Sequence, residues 1–132
     1  MASLENEIEG KAITLLTGST AVRRLKDASA DVVFPVILVY ATPVGEHPAS
    51  PAGQLYSGFL EVRIDTYVLN DKNLSVLQGL VNTVRSALAS MIGSRTALTN
   101  YTITRMREVQ GDDESSDKVH SRTVIYEYEA QK

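Results

Sequence analysis

One stretch, Gly58 to Gly93, constrains the fold more than any other part of the chain. From Phe59 to Val68, apolar and polar residues alternate with the period of two that is typical of a half-buried β-strand. The apolar positions are Leu60, Val62, Ile64 and Val68, and the polar positions are Glu61, Arg63 and Asp65. The stretch therefore predicts a strand with one face in the core and one polar face.

The second half of the same stretch predicts an amphipathic helix of about five turns. Asn70 or Asp71 offers a side-chain oxygen as N-cap, and Gly93 stands where a left-handed C-cap is wanted. An apolar stripe at spacings of three and four is formed by Leu74, Leu77, Val81, Val84, Leu88 and Met91. This helix follows the strand directly, so the two can bury each other's apolar faces.

The composition indicates one domain, residues 1–132, that buries enough surface to need no disulfide or metal. The absence of cysteine excludes a disulfide framework, a thiolate zinc site and a cysteine nucleophile. A formal charge of -3 argues against general nucleic-acid binding. The acidic start, Met1 to Gly10, is not a signal peptide, and the longest apolar run, Val32 to Ala41, is too short for a membrane span. We expect a protein of the cytoplasm of the producing cell, with no membrane partner.

The N-terminal half adds a short helix, one strand and a long loop. Ser3 can cap a first helix, which has one apolar side. That apolar side consists of Leu4, Ile8, Ala12, Leu15 and Leu16, with Glu5, Glu7, Glu9 and Lys11 outside it or near its start. A second helical piece is predicted from Ala21 to Ala28. Val32 to Tyr40 is rich in β-branched residues and predicts a strand. Thr42 to Tyr56 holds three of the four prolines and predicts a long loop.

The C-terminal third predicts two further strands, Thr99 to Val109 and Val119 to Glu129, joined by a polar and flexible tip, Gln110 to Lys118. In the first of them, Tyr101, Ile103, Arg105 and Arg107 share one face, and Thr102, Thr104 and Met106 share the other. The predicted fold class is α+β. It has a mixed, mainly antiparallel sheet of about four strands, a long amphipathic helix packed on one face and a short N-terminal helix.

No group of residues in the sequence predicts a catalytic or metal site. The two histidines, His47 and His120, have no partners at ligand spacing and are expected at the surface. The acidic run from Gly111 to Asp117 lacks the internal glycine and the terminal glutamate of a calcium loop. We therefore expect a protein that is not an enzyme and that has no cofactor.

Three arginines allow two interpretations. Arg105 and Arg107 share a strand face, and Arg122 lies on the strand expected beside them. They form either a surface ladder with Glu108, Glu127 and Glu129, or a basic patch at a subunit interface. Reversing Arg105 and Arg107 to Glu is expected to preserve the fold and to weaken assembly.

The order of elements resembles the tail-terminator, or tail-completion, proteins of tailed bacteriophages and related contractile injection particles. The residues that carry the resemblance are Val33-Phe34-Pro35-Val36-Ile37, the alternating segment from Leu60 to Tyr67 with its helix, and the final strand from Arg122 to Tyr128. The pattern covers most of the chain without an invariant motif.

The resemblance implies a virion protein of the tail or neck, assembled in the host cytoplasm as a homo-oligomer, a hexameric ring. Such a ring caps the tail tube, binds the tail tube protein and joins the tail to the head connector, and genomic DNA passes its channel without specific binding. The residues expected at subunit or tube contacts are Arg63, Arg105, Arg107, Arg122, Asp112, Asp113 and Glu114. The alternative is a small non-enzymatic adaptor or chaperone that captures a partner strand at a sheet edge.

Overall fold

The computed structural model describes residues 3–16, 21–24, 35–50, 53–67, 69, 74–92, 95–116 and 118–131. Two helices and six strands are described in this order: α1 (Leu4–Leu16), β1 (Ala21–Arg24), β2 (Val36–Ser50), β3 (Gly53–Tyr67), α2 (Ser75–Leu88) with a 3₁₀ turn after it (Ala89–Met91), β4 (Thr96–Ala97), β5 (Thr102–Ser115) and β6 (Val119–Gln131). No described helix is long and apolar enough to cross a membrane.

The strands form one mixed sheet in the order β1-β2-β3-β6-β5-β4. β1 runs parallel to β2, and the other neighbours are antiparallel. The predicted fold of about four strands with a long helix is therefore wrong, because the sheet has six strands and α2 has only 14 residues. The two missed strands, β1 and β4, have four and two residues, too few for a period of two to show. Ala21–Arg24 had been predicted as helix.

The predicted loop from Thr42 to Tyr56 is also wrong, since β2 and β3 continue through it as a long hairpin. Their pairing extends to Ser50 and Gly53, with register shifts between Pro43 and Gly45 and between His47 and Ser50. Proline lacks the N–H that a central strand must donate, but it is tolerated at a sheet edge or at a bulge. In the described part of the chain no strand pairs with β2 beyond Val39 on its other side, so this arm is an edge.

The tip predicted from Gln110 to Lys118 is mostly strand as well. β5 runs on to Ser115, and a short turn at Ser116 leads into β6. The register between β5 and β6 shifts between Ile103 and Arg105, which places both Ile103 and Met106 in the core and breaks the predicted alternation. The two predicted antiparallel hairpins, β2–β3 and β5–β6, are confirmed.

The core lies between the two helices and one face of the sheet. Across that face, Ile37 pairs with Ile64, and Val62 lies between Val39 and Val124. The apolar stripe of α2 is buried as predicted at Leu77, Val81, Val84, Leu88 and Met91. Leu74 is the exception, because it is exposed. The predicted caps Asn70, Asp71 and Gly93, and the core position Val68, lie outside the described residues.

Gly58 allows β2, β3 and β6 to approach each other. A Cβ atom at this position would clash with the Thr42 carbonyl oxygen and would lie 2.8 Å from Cζ of the Tyr128 ring. We expect Gly58→Ala to lower the free energy of unfolding by about 2 kcal/mol, the usual cost of overpacking a core. Gly79→Ala is the matched control, since nothing lies within 4 Å of its added Cβ on α2. It should raise stability by about 0.5–1 kcal/mol. Urea denaturation of both variants checks the pair, and equal effects would contradict this account.

Candidate subunit-contact surface

The sheet face away from the helices carries a ladder of ion pairs on β5 and β6. Arg107 Nη2 lies 3.2 Å from Glu127 Oε1, and Arg105 Nη1 lies 3.9 Å from Glu129 Oε1. Each pair joins residues that face each other across the two strands. The surface-ladder interpretation is thus confirmed for these two arginines. Their side chains remain more than half exposed and keep donors for a further acceptor.

A second charged group on this face surrounds a buried carboxylate. Asp65 is only 3% exposed, although the sequence placed it on the polar outer face. Arg63 Nε donates to Asp65 Oδ1 at 3.0 Å and to Ser121 Oγ at 3.1 Å, and the Ser121 hydroxyl also donates to Asp65. A buried carboxylate is tolerated when it is paired and hydrogen-bonded. Arg63 therefore serves the fold, which leaves less of its charge for a partner.

Arg122 does not join the other arginines in a basic patch. Its neighbour in the register is the core residue Ile64, so it lies on the helix side of the sheet. There it donates to Gln78 Oε1 of α2 at 2.8 Å and to Asp113 Oδ1 at 2.6 Å. The predicted basic patch does not form, because Arg122 lies on one side of the sheet and Arg105 and Arg107 lie on the other.

Glu108 also lies on the helix side, although the sequence predicts it in the surface ladder with Glu127 and Glu129. Arg85 of α2 donates to both of its carboxylate oxygens at 3.0 Å. This hydrogen bond raises the pKa of Arg85 above its ordinary value, so the arginine stays charged. The Arg85–Glu108 ion pair joins α2 to β5, and the Arg122–Gln78 hydrogen bond joins α2 to β6, so both strands hold the helix in place.

The acidic residues of β5 are divided between the two faces. Asp112 faces Thr123, and Glu114 faces Ser121, both on the outer side of the sheet. Asp113 faces Arg122 on the helix side. The outer face of β5 thus carries two basic residues, Arg105 and Arg107, in its first half and two acidic residues, Asp112 and Glu114, in its second half.

Exposed apolar side chains lie at the end of β3, at Leu69 and at the start of α2, and together they are called the apolar connection below. Leu69 is 83% exposed, and Tyr67, Leu74 and Val76 are exposed beside it in the chain. Leu74 has a φ of 61°, a left-handed conformation that costs a non-glycine residue about 1–2 kcal/mol. Four large exposed apolar side chains around one connection are typical of an interaction site. Leu74 continues the spacing of the α2 stripe in the sequence, which predicts it as buried, so the local pattern does not reveal this site.

The core side of β6 contains two tyrosine hydroxyls, Tyr126 and Tyr128, with no hydrogen-bond partner among the described residues. Burial, helped by the nearby Glu108 carboxylate, raises the pKa of Tyr126 to about 12. Burial and the charges of Glu5 and Glu9 raise the pKa of Tyr128 well above its ordinary value. Both hydroxyls are thus held in the neutral form.

The tyrosine at position 126 makes stability depend on pH in alkali. Its pKa is raised in the folded state, so its stabilising effect is complete below the ordinary pKa of about 10. It is lost between about pH 10 and about pH 12 as only the unfolded state ionises. Tyr126→Phe should therefore flatten the fall of the urea midpoint over this range. At pH 7 it should be neutral or slightly stabilising, because the hydroxyl is unpaired. A fall as steep as in the wild type would contradict the assignment.

His120 differs from its predicted place in solvent at the start of a strand. It is half-buried in β6, with Nδ1 at 2.9 Å from Ser115 Oγ and with no partner for Nε2 among the described residues. The side chain of His47 lies outside the described residues. The described histidine therefore helps to close the β5–β6 turn.

The described surface grooves are shallow, and one with converging charges is lined by side chains that are ion-paired with each other, namely Arg85 with Glu108 and Arg122 with Asp113. Another groove, about 460 Å³, lies between α1 and the chain before β5, and is lined by Glu7, Lys11, Thr14 and Leu98 among others. Within the described ranges, no three His, Asp or Glu side chains are grouped to hold a metal ion. The features that stand out are thus extended surfaces: the charged outer face, the open strands and the apolar connection.

Comparison with known proteins gives a fold and no family. No protein-family model matches the chain, and no curated protein matches it. Among solved structures, it is similar to a chain in the virion of a native gene transfer agent (GTA) particle, with a TM-score of 0.55 and 12% identity. The match covers 98% of this chain and 96% of that one, so the likeness is of the whole fold.

Proposed function

We propose that the chain is a non-enzymatic structural protein of a phage-like virion, a ring-forming tail terminator that caps the tail tube and joins the tail to the head connector. The observation that carries the proposal is the likeness in fold, over nearly the whole length of both chains, to a chain of a gene transfer agent virion. The order of elements that resembles tail terminators in the sequence supports the narrower role.

The apolar connection between β3 and α2 supports an assembled state. Tyr67, Leu69, Leu74 and Val76 are exposed in the single chain, whereas a neighbouring protein would remove them from water. The left-handed conformation of Leu74, one of the four, fits a segment whose conformation is needed for contact. We propose that this segment contacts the next subunit of a homo-hexamer or the tail tube protein.

The charges support a channel that DNA passes without binding. The chain has a net charge of -3, and the outer arginines Arg63, Arg105 and Arg107 are each paired with a carboxylate. Paired arginines offer little net positive potential to phosphates. This arrangement suits a virion protein of the tail or neck that is assembled in the host cytoplasm.

Deletion of the gene in a genome that produces particles tests this role. Electron microscopy should show tails of abnormal length that are not joined to heads, and wild-type protein supplied in trans should restore joined tails of uniform length. Leu69→Asp should fail to restore them, because an exposed residue tolerates the change in the fold but not in a contact. Ser86→Asp, on an exposed position of α2, is the matched control and should restore them. Normal tails after deletion would rule out the terminator role and favour the adaptor alternative.

A further inference from the structure

β5 presents a long open edge. On one side it pairs with β6 along its whole length, but on the other side β4 pairs only with Thr102 and Ile103. In the part of the chain that the structure describes, no strand pairs with Thr104–Ser115 on that side. Every second residue there directs its N–H and C=O groups away from the sheet, ready to pair with another strand.

The charges along this edge are complementary to those of the same edge turned around. Arg105 and Arg107 lie in the first half of β5, and Asp112 and Glu114 lie in the second half. In an antiparallel pair of two copies of β5, the first half of each copy faces the second half of the other. One register then places Arg105 opposite Glu114 and Arg107 opposite Asp112. By the two-fold symmetry each of these pairs occurs twice.

The β-bulge of β5 is what makes this register possible. Side chains alternate along a strand, so without an extra residue Asp112 and Glu114 would share the helix side with Met106. The register shift between Val109 and Asp112 moves them to the outer side, where Arg105 and Arg107 lie. All four side chains thus stand on one face, as cross-strand pairs require.

Gly111 permits the bulge, because a Cβ atom at that position would clash with the Thr123 carbonyl oxygen. Each arginine would moreover lie between two carboxylates, one from β6 and one from the second copy. In the single chain Arg105 and Arg107 have 63% and 58% of their side chains exposed, so donors remain for the second carboxylate.

We propose that the unassembled protein forms a two-fold dimer in which β5 pairs antiparallel with β5 of a second copy, joining the two sheets edge to edge. This contact is isologous and closes on itself, so it is distinct from the head-to-tail contacts of a ring. It covers the open edge of β5, which would otherwise be a site of aggregation before assembly. The inference does not rest on the proposed function, since it concerns the free protein.

The test uses two charge-reversed variants of the full chain, R105E/R107E and D112R/E114R. Light scattering over a concentration series should give a dimer for the wild type. Each variant alone places like charges opposite each other and should dissociate at least about tenfold more readily. An equimolar mixture of the two variants restores every opposite pair, so native mass spectrometry should show mainly the mixed dimer. Circular dichroism melts confirm that both variants are folded.

A wild-type monomer at every concentration, or variants that dimerise as well as the wild type, would overturn the proposal. So would a mixture that stays monomeric. If either variant fails to fold, hydrogen exchange of the wild type decides instead: amides of Thr104–Ser115 should become more protected as concentration rises, and unchanged exchange would overturn the dimer. These readouts are independent of tail assembly, so the failure of one proposal can be told from the failure of the other.

Discussion

Val81→Asp is expected to leave the protein unfolded at room temperature. Val81 is fully buried on α2, beneath the sheet, and no described cation lies in that apolar core. An isolated carboxylate in such a site costs several kcal/mol, and the rest of the helix cannot turn to expose it because Leu77, Val84 and Leu88 are buried on the same side. A domain of this size is stable by only about 5–15 kcal/mol in total.

Circular dichroism and urea denaturation measure the effect of Val81→Asp. Asn82→Asp is the matched control, since it adds the same charge to the next, exposed residue of α2 and should shift stability by less than about 0.5 kcal/mol. A soluble Val81→Asp protein with a cooperative melt would mean that α2 packs by another face. The stripe that the sequence predicted would then be wrong as well.

The sequence was most informative where one face of an element is buried and the other is in water. The alternation in β3 correctly predicted that Leu60, Val62 and Ile64 are buried, and the stripe of α2 was correct except at Leu74, because a period of 2 or 3.6 records a boundary between core and solvent. The second half of β5 has no such boundary. It lies near the edge of the sheet and carries polar residues on both faces, so it was predicted as a flexible tip.

The faces of charged residues were predicted poorly for a related reason. The side on which Asp112 and Glu114 lie depends on a register shift, and the side on which Arg122 lies follows from its pairing with Ile64. Both are set by pairing between segments distant in the chain, and a local pattern does not report such pairing. The open edge of β5 became visible only with the strand order.

Glu9 is the residue whose role the sequence concealed most fully. It was placed on the outer side of α1, yet it is 2% exposed. Its Oε1 accepts from Arg24 Nε at 3.1 Å, and its Oε2 accepts from the backbone N–H of Ala41 at 2.9 Å. Arg24 ends β1, and Ala41 lies on β2 just beyond the last residue that β1 pairs with. The Glu9 carboxylate thus accepts from the Ala41 amide of β2, which lies beyond the end of β1. It also connects α1 to both β1 and β2.

Glu9→Ala is expected to lower the free energy of unfolding by about 3 kcal/mol, because it leaves a partly buried guanidinium and a buried amide without this acceptor. Glu9→Gln keeps a carbonyl oxygen for Ala41 and loses only the charge, so it should cost about half as much. Glu5→Ala, also on α1, is the control and should change stability by less than about 0.5 kcal/mol. A double-mutant cycle with Arg24→Ala, followed by urea denaturation, measures the coupling. If Glu9→Ala and Arg24→Ala were simply additive, the ion pair would contribute nothing, and the amide of Ala41 alone would explain why Glu9 is buried.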